Sequence, residues 1–472
     1  MVWDYDAASQ LMARAGFGDT PKKIDQLVGM GREGAVDHLV DYENIDNTKF
    51  ERLIRKGFPE IKRLLTRFDL LLNTVFYENW WLTRMVLTPR PLEEKMTLFW
   101  HSHFATEVSV VGPLIVQQNI VLRENAVAQF DTLLLNVAKN PGMIRYLNND
   151  DNHKDHPNEN YARELMELHT MGIVDVVTGE ANYSQKDVEE VARAFTGWTF
   201  QRLTPPTFFL DESQHDFGSK SIFGRPPANL DGLDVISLIC QRQATARFMA
   251  RKLFEFFVYR LTDSDEDRAT LDQFARVYLE NQHSVKEMVR AMFLSDQFLS
   301  ERARSSLRKS PIELVVGSMR RLGAEYPVRE IALSAPAESA ARMGQRLFSP
   351  PNVAGWSPEF WFNPTTFLER LNFATRLATN RSGFSSGFTV DAMVTAEQLA
   401  AYADKDPAQT VDNLLRLLGP LRVDADIRFA LINYLTTLDG VPITFKPNSA
   451  TIDRKVRNLV ALIMMLPESN LT

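Results

Sequence analysis

The chain has 472 residues, 44% of them hydrophobic and 24% charged, with a formal net charge of −7. That is ample material for a buried core, and the acidic balance without a basic run argues against a nucleic-acid partner. Cys240 is the single cysteine, which excludes an intrachain disulfide and a thiolate metal cage, and no apolar run of about 18 residues exists to span a membrane. The length suits one large helical domain with a satellite, or two to three domains. The first residues, MVWDYDAASQ, lack a basic and then apolar leader, so the chain reads as cytoplasmic as it stands, and as exported if a leader was removed.

The first predicted helices cover residues 4–16, a stretch opened by Thr20-Pro21, and residues 32–41. A polar surface helix or connector follows at 47–65. A long aromatic helix runs from Phe68 to Leu87, broken by Pro89 and Pro91. In Leu92 to Thr106, helical spacing places Met96, Phe99, Trp100 and His103 on one buried face. His101 lies about 200° from His103 around such a helix, so a regular helix cannot aim both at one ion. Each histidine is read either as a hydrogen-bonded core residue or as a ligand or acid–base group. Residues 114–138 read as one long helix. His153 and His156 sit in a polar loop.

The stretch PNENYARELMELHTMG, Pro157 to Gly172, reads as a helix capped by Asn158 or Asn160 and ended by Gly172. Tyr161, Leu165 and Leu168 form one apolar stripe, and Ala162, Met166 and His169 a second, mostly apolar one. Asn160, Arg163, Glu164 and Glu167 form a third, wholly polar stripe. Such a stripe is either an ion-pair network or a functional cluster, since a largely buried helix must give its carboxylates partners.

Ser184 caps the next predicted helix, whose core stripe is Val188, Val191, Ala192 and Phe195, and Arg193, off that stripe, is in reach of Glu164 or Glu167. Residues 199–225 are the least helical part, with a strand at Thr207–Leu210. His215 and Asp216, followed by Gly218 and Lys220, are read as a base with its orienting carboxylate or as a hairpin turn. Further helices fill 232–323. In the loop 344–364, Trp356 and Trp361 are candidates for stacking on a sugar, or anchors into the core. The Gly/Ser-rich stretch 382–389 is the best boundary in the chain. The predicted fold is therefore mainly α. A main helical domain, 1–381, carries the polar site and a short irregular, hairpin-like insertion, and a linker, 382–389, leads to a small C-terminal helical segment, 390–472.

FWHSHFAT at 99–106, PNENYARELMELHTMG at 157–172, YSQKDVEEVARAFTGW at 183–198 and HDFGSKSIFG at 215–224 together carry a resemblance. With ARAGFG near the start and the SPPNVAGW loop, the chain resembles the domain-of-unknown-function 1800 family of bacteria. The resemblance implies a mainly helical protein, without an established activity, often found beside a sulfatase-like partner. The family's polar signature falls on His101, His103, Asn158, Glu159, Asn160, Arg163, Glu164, Glu167, Arg193, Trp198, His215, Asp216, Lys220 and Trp356; His169 departs from it.

Two functions are expected to compete. In the first the chain is a hydrolase or group-transfer enzyme. Glu164, Glu167, His101, His103, His215 and Asp216 supply acid–base or metal-assisted chemistry, and Asn160, Arg163, Arg193, Lys220 and Trp356 bind an anionic or glycan-type substrate. A divalent metal is a candidate cofactor, with His101, His103 and Glu164 as candidate ligands. In the second the chain is a non-catalytic helical binding or assembly protein that acts with the sulfatase-like partner.

Overall fold

The computed structural model describes residues 2–64, 74–201, 205–326, 328, 334–379 and 394–472. The predicted linker at 382–389 and the first part of the Phe68–Leu87 helix lie outside these residues. Helices dominate, as the patterning predicts, and two short antiparallel ribbons are the only sheets among the described residues.

Helix α1, Tyr5–Ala15, starts where the Asp4 side chain accepts from the Ala7 amide. Helices α2, Thr74–Leu87, and α3, Pro91–His103, follow; Pro91 opens α3, where its missing N–H costs nothing. Every residue of α3 except Ser102 is buried. A helix with apolar side chains on all sides must run through the interior, and its charged residues then need partners. Glu94 has them: Arg84 Nε at 2.8 Å, Arg123 Nε at 2.8 Å and the Trp81 indole N–H at 3.0 Å.

The helix expected over 114–138 is two, α4 (Leu114–Glu124) and α5 (Phe130–Ala138). The Asn125 side chain donates back to the Val121 carbonyl at 2.8 Å, and the Ala126 carbonyl is taken by the Trp100 indole at 2.8 Å, so the backbone ladder stops there. Helix α6, Asn160–Glu164, continues into a wider π-turn, Leu165–Thr170. The Met171 and Gly172 amides both donate to the Met166 carbonyl, and Gly172, at φ 75°, ends the element as expected. Helix α7, Gln185–Ala194, begins with a reciprocal cap between Ser184 and Asp187. Strand β1, Trp198–Gln201, pairs with β2, Thr207–Leu210, with Trp198 opposite Leu210. Helices α8 (Gln243–Phe257), α9 (Pro311–Arg321), α10 (Pro364–Thr379) and α11 (Arg457–Met465) complete the frame of the site.

Among the described residues two apolar cores form. One gathers α1, α5, α6, α7, α8 and the segments to Ala303. The other gathers α2, α9, α10 and α11, and it joins residues from the first part of the chain to the C-terminal segment in one cluster. Helix α3 stands between them: Met96, Phe99 and Trp100 pack into the first core and Leu98 into the second.

Candidate functional site

The opposite directions expected for the two α3 histidines are observed. His101 is fully buried, with its ring 5.1 Å from Trp81, 5.4 Å from Phe348 and 5.4 Å from Trp356. Neither of its nitrogens has a hydrogen-bond partner among the described residues, and burial pushes its pKa down to about 3. His103 faces the other way. Its Nε2 lies 2.9 Å from the His169 carbonyl, which can only accept, so Nε2 carries the proton and Nδ1 is an acceptor. Burial, then the nearby Lys252 and His169, hold His103 well below the usual histidine range.

Glu164 and Glu167 are half-buried, and neither has an ion-pair or hydrogen-bond partner among the described residues. Desolvation and then repulsion by Glu167 raise the Glu164 pKa. The candidate metal set His101, His103 and Glu164 is not brought together, and among the described residues no group of three or more His, Cys, Asp or Glu is placed to hold a metal. One face of α3 buries His101 in aromatics and the other ties His103 to a carbonyl, so neither ring meets the carboxylate pair.

The rest of the polar stripe is engaged locally. Arg163 bonds Glu159 at 2.8 Å and Gln185 at 3.1 Å, and the Asn160 amide donates to the Leu147 carbonyl at 3.0 Å. Arg193 pairs with Asp216 at 2.7 Å and Glu190 at 2.8 Å, in place of the expected Glu164 or Glu167. Its guanidinium and the Gly218 amide hold the Asp216 carboxylate below its usual range. His215 Nδ1 is 2.8 Å from the Thr196 carbonyl, and the fully buried Lys220 donates to the Gly218 carbonyl at 3.1 Å. Asp216 and His215 therefore hold this loop to Arg193 of α7 and to Thr196 just after it, while Lys220 ties the loop to its own carbonyls.

A concavity lies elsewhere, lined by residues of both cores. It is a cleft of about 550 Å³ floored by α3 through Leu98, Phe99, Ser102 and His103. Leu168 of the π-turn joins it, α8 adds Lys252, Glu255 and Phe256, and Arg260 and Arg308 extend from the segments after α8. Glu313 of α9 and the loop residues Trp356, Pro358, Glu359 and Trp361 close it. Gly355 presses this loop onto α3: at φ 82°, a Cβ there would lie 2.1 Å from the Ser102 carbonyl oxygen.

The charges in the cleft are unevenly matched. Glu255 pairs with Arg251 at 3.1 Å, and Glu313 pairs with Lys95 while also accepting from the Ser310 amide at 2.7 Å. Lys252, Arg260 and Arg308 have no ion-pair partner among the described residues. Lys252 is open to solvent yet walled in by the concavity, and desolvation lowers its pKa. Of the predicted candidates, His103, Trp356 and Trp361 line this cleft, and His101 backs it through its contact with Trp356. The three basic residues were missed because single Lys and Arg in helical or loop sequence carry no spacing signal.

A family model described as a protein of unknown function (DUF1800) matches residues 10–471. No curated protein and no solved structure matches the chain.

Proposed function

The chain belongs to the DUF1800 family, and from that premise we propose that it is an enzyme whose cleft binds an anionic, glycan-type substrate, with His103 as its acid–base residue. The observation that carries this reading is the set of Lys252, Arg260 and Arg308, three cations without carboxylate partners, around a cavity walled by Phe256, Trp356 and Trp361. Cations without partners favour sulfate or carboxylate groups, and aromatic walls favour the apolar face of a sugar ring. His103 has an unprotonated Nδ1 and a backbone-fixed tautomer, as an acceptor of a substrate proton needs. An anion beside Lys252 offsets one of the charges that depress His103, so substrate binding raises the basicity of the ring.

Calorimetry with a sulfated disaccharide, a uronic-acid oligosaccharide and a neutral oligosaccharide tests the reading. The anionic sugars bind and the neutral one does not. Lys252→Met and Arg308→Gln each weaken binding about 10-fold or more, the scale of one charge-assisted hydrogen bond. His103→Gln retains binding and loses turnover of the bound sugar. Equal binding of neutral and anionic sugars, or unchanged affinity in both cation variants, overturns it.

A further inference from the structure

Behind the cleft, the start of α9 and the C-terminal residues enclose a concentration of positive charge. Arg14, Lys95, Lys309 and Arg370 all feel Glu313, the carboxylate side chain they share. Four of the five cations here have oxygen partners. Arg14 donates to the carbonyls of Val258 and Ala303, both at 2.7 Å, and Lys95 pairs with Glu313. Lys309 Nζ reaches the Ser469 carbonyl at 2.8 Å, and Arg370 reaches the Lys309 carbonyl at 3.1 Å.

Arg321 is the exception. It is 5% exposed, and no hydrogen bond or ion pair joins its guanidinium to any described residue. The Tyr5 phenol and then Asp19 act on it through space, and Asp19 is committed to Arg320 at 2.6 Å and to Lys23 at 3.1 Å. The guanidinium lies in a slot between two glycines of positive φ. A Cβ on Gly18 would come within 2.6 Å of its Nε, and one on Gly419 within 3.0 Å of its Cζ. Arg321 lines a small cavity of about 20 Å³ together with Lys309, Ser318, Ser469 and Glu313, whose carboxylate is already paired with Lys95. That volume accommodates one water-sized species, since a cavity of roughly 10–15 Å³ suffices for one.

We propose that this cavity is a binding site for a small monovalent anion of halide size, held by the Arg321 guanidinium and the Lys309 ammonium. Burying a guanidinium without a partner is costly, and so is placing it beside a second, half-buried cation. An anion between them supplies the missing acceptor and offsets the repulsion. Burial and then the neighbouring Arg321 push Lys309 down to about 7, and an anion between the two side chains offsets that repulsion. The inference does not depend on what the cleft binds.

Thermal unfolding of the full chain in sodium chloride or bromide, against sodium gluconate at equal ionic strength, tests it. The midpoint rises saturably with halide, by about 2–3 °C at a hundredfold excess over the dissociation constant. Arg321→Gln loses this rise, as does Lys309→Met. Crystals of the unmodified protein soaked in bromide show an anomalous peak between the two side chains, a readout that stands even where a variant does not fold. Identical melting in halide and gluconate overturns the site, and so does bromide ordered only on the surface.

Discussion

His101 shows how far a side chain's surroundings set its chemistry. Wholly enclosed by Trp81, Phe348 and Trp356, it stays neutral in the folded protein down to about pH 3. In the unfolded chain it takes a proton near its ordinary value, about 6.5. The unfolded state therefore binds more protons between those limits. The stability this group contributes is complete above about pH 6.5 and is lost as the pH falls toward 3, at up to about 1.4 kcal/mol per pH unit. His169, also buried and held to about 3, adds to the same acid slope. Replacing His101 by Phe removes two buried nitrogens without partners. It is expected to raise stability at pH 7 by about 1 kcal/mol and to flatten the slope between pH 6 and 4, as read by urea unfolding. An unchanged slope would contradict the neutral, buried state. His101 and His103 were both legible as candidates from sequence, because their opposite directions follow from helical geometry alone. That one would be ringed by aromatics and the other tied to the His169 carbonyl was not, because those contacts come from residues 20 to more than 200 positions away.

At the scale of elements, the periodic patterns served well and the irregular ones did not. The three stripes of Pro157–Gly172 match the observed burial of Tyr161, Ala162, Leu165, Met166 and His169. The π-turn over Leu165–Thr170 left no signature, since its extra residue per turn is stabilised by the Thr170 hydroxyl donating to the Leu165 carbonyl at 2.6 Å, a bond any helical threonine could have made otherwise. The ribbon at Thr437–Leu438 and Val441–Pro442 was likewise unforeseen, being two residues on each side. The Pro/Gly/Trp loop has the clearest element-scale consequence. Gly355→Ala must push the loop off the α3 backbone at Ser102, because both the φ of 82° and the 2.1 Å approach forbid a Cβ. The expected result is a destabilisation of about 2–4 kcal/mol together with loss of oligosaccharide binding, since Trp356 moves with the loop. Normal binding by a normally stable G355A protein would separate the loop from the cleft.

At the scale of the whole molecule, α3 is the axle on which both cores turn, and its charges must be neutralised in place. Glu94, fully buried, answers Arg84 and Arg123 at once, and those two cations hold its carboxyl below the usual range against the cost of burial. Glu94→Ala leaves two buried guanidinium groups short of a partner. The expected loss is about 3–5 kcal/mol in chemical unfolding; a loss under 1 kcal/mol would mean that water or another carboxylate substitutes.

From sequence alone came the mainly helical class, the caps at Ser184 and Gly172, the strand at Thr207–Leu210 and the core stripe of Gln185–Ala194. These depend on neighbours within a few positions, and local spacing reports them faithfully. Tertiary structure alone decided which polar residues meet. It paired Arg193 with Asp216 and His215 with the Thr196 carbonyl, left Glu164 and Glu167 without ion-pair partners among the described residues, and drew Lys252, Arg260 and Arg308 around His103 and Trp356. The physical reason is that a charge's partner is whatever the packing of distant apolar faces brings within about 4 Å, and no local pattern encodes that distance.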